Sequence, residues 1–136
     1  MNLISQATAA LLALFDQECP REHFPYATFV AYQADDFTSP MEEGLSFYLF
    51  KVDLTADARQ GRTLYLSYLM TAWSPDPLRQ QELLGWGLQT AQRNAGIDQH
   101  LRLEIQPLAI ADLAAVWSMA RAGAQPSVAL ILRAFD

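Results

Sequence analysis

Residues 45–54 read Leu-Ser-Phe-Tyr-Leu-Phe-Lys-Val-Asp-Leu, and residues 63–73 read Thr-Leu-Tyr-Leu-Ser-Tyr-Leu-Met-Thr-Ala-Trp. Both runs are rich in aromatic and aliphatic side chains and lack the turn residues that would interrupt a strand. Side chains alternate across a strand, so Leu45, Phe47 and Leu49 share one face while Tyr48, Phe50 and Val52 share the other. In the second run Leu64, Leu66, Tyr68 and Met70 fall on one side, and Tyr65, Leu69 and Trp73 on the other. A strand that is apolar on both faces needs cover on both, which makes these the central strands of a sheet with material above and below. The polar connection from Ala56 to Arg62 contains Gly61 near its end.

The flanking segments supply that cover. Upstream, Leu3, Ile4, Ala7, Leu11, Leu14 and Phe15 recur at helical spacing, and Pro20 stops the helix. Residues 26–32 predict a short strand, and Gln33 to Gly44 an acidic loop with mobile character. Downstream, Ser74-Pro75-Asp76-Pro77 stops the strand and starts a helix, with Asp76 as cap and Pro77 in the first turn. That helix is expected to run to about Ala95 with Leu84, Leu88, Ala91 and Ala95 as its stripe; Gly87 permits close packing and Gly96 terminates it. His100 to Gln106 alternates strictly and predicts a strand with one wet face. A third helix is expected over about Ile110 to Ala122, burying Ile110, Leu113, Trp117 and Ala120, and a last strand over Val128 to Phe135. The fold class is therefore α+β: a mixed, mostly antiparallel sheet of about five strands with three helices packed on it, in a single domain over residues 1–136.

Composition bounds the function. Half the residues (51%) are apolar, enough for a core without disulfides or metals, while only 18% are charged. The net charge is −6 and no run of basic residues occurs, which argues against a nucleic-acid partner. No apolar stretch approaches the roughly 20 residues that span a bilayer, and the N-terminus lacks the basic flank of a secretory signal. Cytoplasmic synthesis without membrane insertion is the expectation.

Candidates for chemistry are few. Cys19 and His23 form a Cys-x-x-x-His pair, at most half of a structural zinc site, and no second pair accompanies it. Cys19 as a nucleophile would need exposure and activation that nothing nearby suggests. His100 lies on the polar side of its strand, where a solvated histidine is the simpler reading. Phosphate-cradling and hydrolase motifs are missing: the close pair Gly85 and Gly87 lies within a helix. The acid pairs Asp35-Asp36 and Glu42-Glu43 sit in one polar loop, where solvation explains them as well as contact with a partner does. Trp117 lies on a helix stripe and reads as core; Trp73 and Trp86 fit either core packing or an interface anchor.

An ordered series of pieces carries a resemblance. It runs from Leu45-Ser-Phe-Tyr-Leu-Phe-Lys-Val-Asp53 through Leu64-Tyr-Leu-Ser-Tyr-Leu-Met-Thr71 to Glu82-Leu-Leu-Gly-Trp-Gly-Leu88. It continues with Leu103-Glu-Ile-Gln-Pro-Leu108, Leu113 to Trp117 and Pro126-Ser-Val128. With the first helix these resemble the DUF4255 domain family, whose members are similar to the cap, or tail-terminator, proteins of phage-tail-like contractile injection systems. The chain departs from that pattern at Ala109, where the family has a polar helix cap. It departs again after Asp53, where Leu54 to Gly61 replaces a short turn and Arg59 alone matches the family's arginine.

The resemblance implies a tail-terminator-like fold and a structural, non-enzymatic role without cofactor or metal. It implies a hexameric ring of this chain that ends the inner tube, anchors the terminal sheath layer, and travels with a released or membrane-attached particle. Its partners would be further copies of itself, the tube protein and the sheath protein; strand addition to an open sheet edge is one physical route to the sheath. Another adaptor or baseplate-associated role in a similar particle, and a small enzyme resting on Cys19 or His100, are the alternatives. Arg59, Arg62, Glu42 and Glu43, charged residues flanking the central strands, are the first interface candidates, with Trp73 next.

Overall fold

A computed structural model describes residues 2–57, 61–120 and 124–135. The central pair forms a long antiparallel hairpin, and the other elements assemble around it. Helix α1 spans Leu3–Glu18, and Asn2 caps it by accepting the Ser5 N–H at 2.9 Å. Strand β1 (Thr28–Tyr32) is followed by a short 3-10 helix (Ala34–Thr38), strands β2 (Gly44–Asp57) and β3 (Gly61–Trp73), and helix α2 (Pro77–Arg93). Strands β4 (Gly96–Asp98) and β5 (Leu101–Gln106), helix α3 (Ile110–Ala120) and strand β6 (Ser127–Phe135) complete the chain. The order across the sheet is β1-β2-β3-β6-β5-β4, with β1 parallel to β2 and every other pair antiparallel.

The α+β class and the mixed, mostly antiparallel sheet agree with the sequence reading. The sheet has six strands rather than about five, because Gly96 opens the three-residue β4 instead of only ending a helix. So short a strand cannot display the alternation by which strands are recognised.

Alternation in β3 divides the core in two. Leu66, Tyr68 and Met70 face α1 and α2, together with Leu45, Phe47, Leu103, Leu130 and Leu132. Phe15 sits at the centre of this layer, its ring centroid 5.0 Å from Phe47 and 5.8 Å from Trp86. Leu69 and Trp73 point the other way, into a smaller cluster with Phe37, Val116, Trp117 and Ala120. Cover on both faces is thus achieved by two helices on one side and α3 with the 3-10 helix on the other.

Four local expectations are corrected. A bulge between Leu49 and Lys51 changes the parity of β2, so Val52 pairs with Leu66 and leaves the face of Tyr48. Beyond the bulge the strand outruns the helices: Val52 is 44% and Leu54 59% exposed. The buried line of α2 is Leu83, Gly87, Thr90 and Ala91, rotated from the predicted stripe because Gly87 lets the helix approach Leu45 and Met70. Ile110 is exposed at the start of α3, whereas Val116 is buried. The acidic loop is anchored by Phe37 and by a reciprocal cap in which the Asp36 carboxylate accepts the Gln33 N–H at 2.7 Å.

Candidate interaction surfaces

Gly44 starts β2 against Thr28 and brings Glu42 and Glu43 to the beginning of α2. There Tyr26, Glu42, Glu43, Ser74, Asp76 and Arg79 line an open cleft of about 330 Å³. The two acids are not equivalent. Glu42 is exposed, while the Glu43 carboxylate accepts a hydrogen bond from Arg79 Nε. Arg79 also donates to the His23 carbonyl at 2.7 Å and lies 5.1 Å from the centre of the Phe24 ring. The Glu43 hydrogen bond pushes the Arg79 pKa up, so the guanidinium stays charged. The Asp76 carboxylate accepts the Leu78 N–H at 3.1 Å, capping α2 as predicted. Arg79 was missed from sequence: it is a helix arginine 36 residues from its acid partner, and no local pattern joins them.

Arg62 lies at the opposite end of the hairpin. Gly44 pairs with Trp73 and Ala56 pairs with Arg62. Twelve residue steps (56 minus 44) at the strand rise separate the two ends by roughly 40 Å. The charged candidates therefore lie at two separate places, Glu42 and Glu43 at one end and the exposed Arg62 at the other. Arg59 lies outside the described residues.

Trp73 is 7% exposed and its indole N–H donates to Ser46 Oγ at 2.8 Å. Its ring packs 5.9 Å from Phe37 and 6.2 Å from Tyr32. Trp86 packs against Phe15, Phe24 and Phe29. Both are placed to support the fold.

Burial pushes the Cys19 thiol pKa up, only partly opposed by Arg21, and its Sγ lies 3.8 Å from the Phe24 carbonyl oxygen. This is the reverse of an activated thiolate. His23 Nε2 is 3.0 Å from Glu82 Oε2 on the surface, and the exposed His100 sits in the turn before β5. Among the described residues no three His, Cys, Asp or Glu side chains are grouped to hold a metal ion. Burial also raises the Tyr68 phenol, against the opposing hydrogen bond with Thr8 Oγ1 at 2.5 Å. It raises Tyr32 likewise, against the N–H that Met41 donates to its oxygen. No described helix is long and apolar enough to cross a membrane.

The model of one protein family, the Pvc16 N-terminal domain, matches residues 6–136. Two solved structures share the fold over 98% of this chain at 13% identity. One is described as the sheath/tube terminator of an extracellular contractile injection system, PVC, in its extended state, with a TM-score of 0.71. The other is the tube-terminating cap of the anti-feeding prophage, with a TM-score of 0.67. The chain spans 56% and 54% of those two chains, respectively. No curated protein matches it in sequence.

Proposed function

We propose a function from one premise: the chain belongs to the Pvc16 N-terminal domain family. It acts as a tube and sheath terminator, the cap of a contractile injection particle. The observation that carries this reading is the match of nearly the whole fold to two such terminators. In the finer form of the proposal residues 1–136 act as one unit. Copies close into a hexameric ring on the distal end of the inner tube, stop its growth and hold the last sheath layer. The protein is made in the cytoplasm and leaves it, if at all, as part of the particle. Its role is structural rather than enzymatic, which agrees with a buried, deactivated Cys19.

A ring built head to tail needs two different patches on each copy. Glu42 and Arg62 carry opposite charges and lie far apart along one hairpin, which suits them to meet between neighbouring copies. Glu43 contributes by holding Arg79, and Trp73 by fixing the hairpin end from within. Arg59, outside the described residues, stays a candidate on its charge alone.

Coexpression with tube and sheath subunits, followed by electron microscopy, tests the role. The expected image is a ring of density from this chain at the end remote from the baseplate. Density at the baseplate end would instead favour an adaptor, and bare ends of normal length would overturn both readings. Glu42→Arg or Arg62→Glu alone should reduce ring occupancy, and the double reversal should restore it. Equal loss in the double variant would refute the pairing.

A further inference from the structure

We propose that the part of the sheet face left bare beside α3 is a docking surface for an acidic amphipathic helix of another protein. A carboxylate of that helix sits on Arg102 and Arg133, and one of its apolar side chains fills the cavity next to α3. The inference goes beyond the cap reading and does not depend on it.

One face of the sheet lies beneath both α1 and α2, whereas α3 covers only the Trp73 end of the other. Past that end the sheet continues. One row across it reads Asp53, Tyr65, Arg133 and Arg102, each directly opposite the next. The row beside it reads Lys51, Ser67, Ile131 and Glu104. Tyr65 and Ile131 are partly exposed and belong to neither core cluster, so an apolar centre is rimmed by charge.

The charges on this face do not cancel. Lys51 pairs with Asp53 at 3.3 Å and Arg133 with Glu104 at 2.9 Å, while among the described residues the exposed Arg102 has no ion pair. One positive charge is left over on a chain whose net charge is −6. It stands directly opposite Arg133, and like charges so placed repel. On its other side Arg102 faces Gly96, which has no side chain to offer. Arg133 is held in place, its Cζ 5.5 Å from the centre of the Tyr65 ring. Arg133 Nε and Gln106 Oε1 are enclosed without a hydrogen-bond partner, which leaves the polar network of this face incomplete. A carboxylate across the two guanidinium groups would replace their repulsion with charge-assisted hydrogen bonds. Its single charge matches the single surplus, whereas a phosphate dianion would add a second negative charge beside Glu104 and Asp53.

The cavity sets the rest of the partner. It measures about 390 Å³ and lies between α3 and the sheet, with Phe50, Leu108, Val116 and Met119 as apolar lining and Ser67 and Gln106 contributed by strands. Ser67 is two residues from Tyr65 and Gln106 four from Arg102, so the cavity is roughly 7–13 Å along the strands from the arginines. Two turns of helix span about 11 Å. A helix lying beside α3 would therefore place an apolar side chain in the cavity and an acid on the arginines two turns away. Asp112 of α3 also lines the cavity and repels an acid there. This fixes the direction, with the apolar end at α3 and the acidic end at Arg102.

The test uses the full chain and a lactam-bridged helical peptide of alanine and glutamine. The peptide carries one leucine and, about seven residues on, one glutamate. Titration followed by NMR should shift the Nε–H signals of both Arg102 and Arg133. Glutamine in place of the peptide's glutamate should weaken binding roughly fivefold, as should Arg102→Gln, and the two changes together no more than either alone. Alanine in place of its leucine should weaken binding roughly tenfold. Met119→Lys, at a position 53% exposed, should also weaken it, while Arg93→Gln, an exposed arginine of α2, should not. Circular dichroism checks that each protein variant folds, and the peptide substitutions keep the test decisive where one does not. Absence of binding, or additive losses for the glutamate and Arg102 changes, would overturn the proposal. Equal binding of an unbridged, proline-containing peptide with the same leucine and glutamate would overturn the helix. Self-association of the protein without peptide, lost in Arg102→Gln, would overturn the choice of partner in favour of a second copy. All readouts use the isolated protein and are independent of its place in a particle.

Discussion

Two glycines on α2 separate helix propensity from packing. An ideal Cβ on Gly85 meets nothing within 4 Å, whereas one on Gly87 comes to 2.9 Å from Leu45 Cδ1 and 3.2 Å from Met70 Cε and Sδ. Alanine at either position gains the same helix propensity, about 1 kcal/mol over glycine. At Gly85 nothing opposes that gain, so Gly85→Ala should stabilise by about 0.5–1 kcal/mol. At Gly87 the new methyl pushes on Leu45 and Met70, both fully buried, and overpacking of this kind costs about 1–3 kcal/mol. The propensity term cancels in the comparison, leaving Gly87→Ala less stable than Gly85→Ala by about 1–3 kcal/mol. With a urea m-value of about 2 kcal/mol/M, the two unfolding midpoints should differ by roughly 0.5–1.5 M. Equal midpoints would show that Leu45 and Met70 yield freely, and would refute the claim that Gly87 sets the depth at which α2 packs.

Three further outcomes rest on the geometry. Gly44→Ala should prevent normal folding or cost several kcal/mol. Its φ of 150° disfavours an L side chain, and a Cβ would lie 2.6 Å from Met41 Sδ and closer still to the Thr28 carbonyl; a wild-type melting curve would contradict this. Burial raises Cys19 above its ordinary 9.0 and Tyr68 above its ordinary 10.0, so both are favoured neutral in the fold. Their contribution is complete below those ordinary values and is lost as pH rises through the folded pKa values, so stability should fall above about pH 9. Tyr68→Phe should lose about 1 kcal/mol at neutral pH with its Thr8 hydrogen bond, and flatten the decline above about pH 10. An unchanged alkaline slope would count against Tyr68 as one of its sources.

What the sequence made legible was the apolar pattern on long elements. The hairpin, α1 and α3 all declare themselves by periodicity and punctuation. The bulge at Phe50 does not, because one inserted residue leaves the composition untouched while reversing the face of everything after it. The rotation of α2 also escaped, since a buried glycine contributes nothing to a hydrophobic stripe. Phe37 was hidden among polar neighbours and is fixed only by rings distant in sequence, Trp73 and Trp117. The candidate surfaces were legible as residues but not as places. Charge marked Glu42, Glu43 and Arg62, yet only the register shows that they occupy opposite ends of one hairpin.

The division of the core has a consequence for how the molecule loosens. The layer beneath α1 and α2 is broad, while the one beneath α3 is small and rests on Phe37 and Trp117, rings that pack edge to face at 5.2 Å. Local opening requires only the contacts of the departing segment to break, so its cost scales with the smaller layer. α3 and the 3-10 helix are therefore expected to open at lower cost than the layer beneath α1 and α2, so amides of α3 should exchange faster than those of α1 and α2.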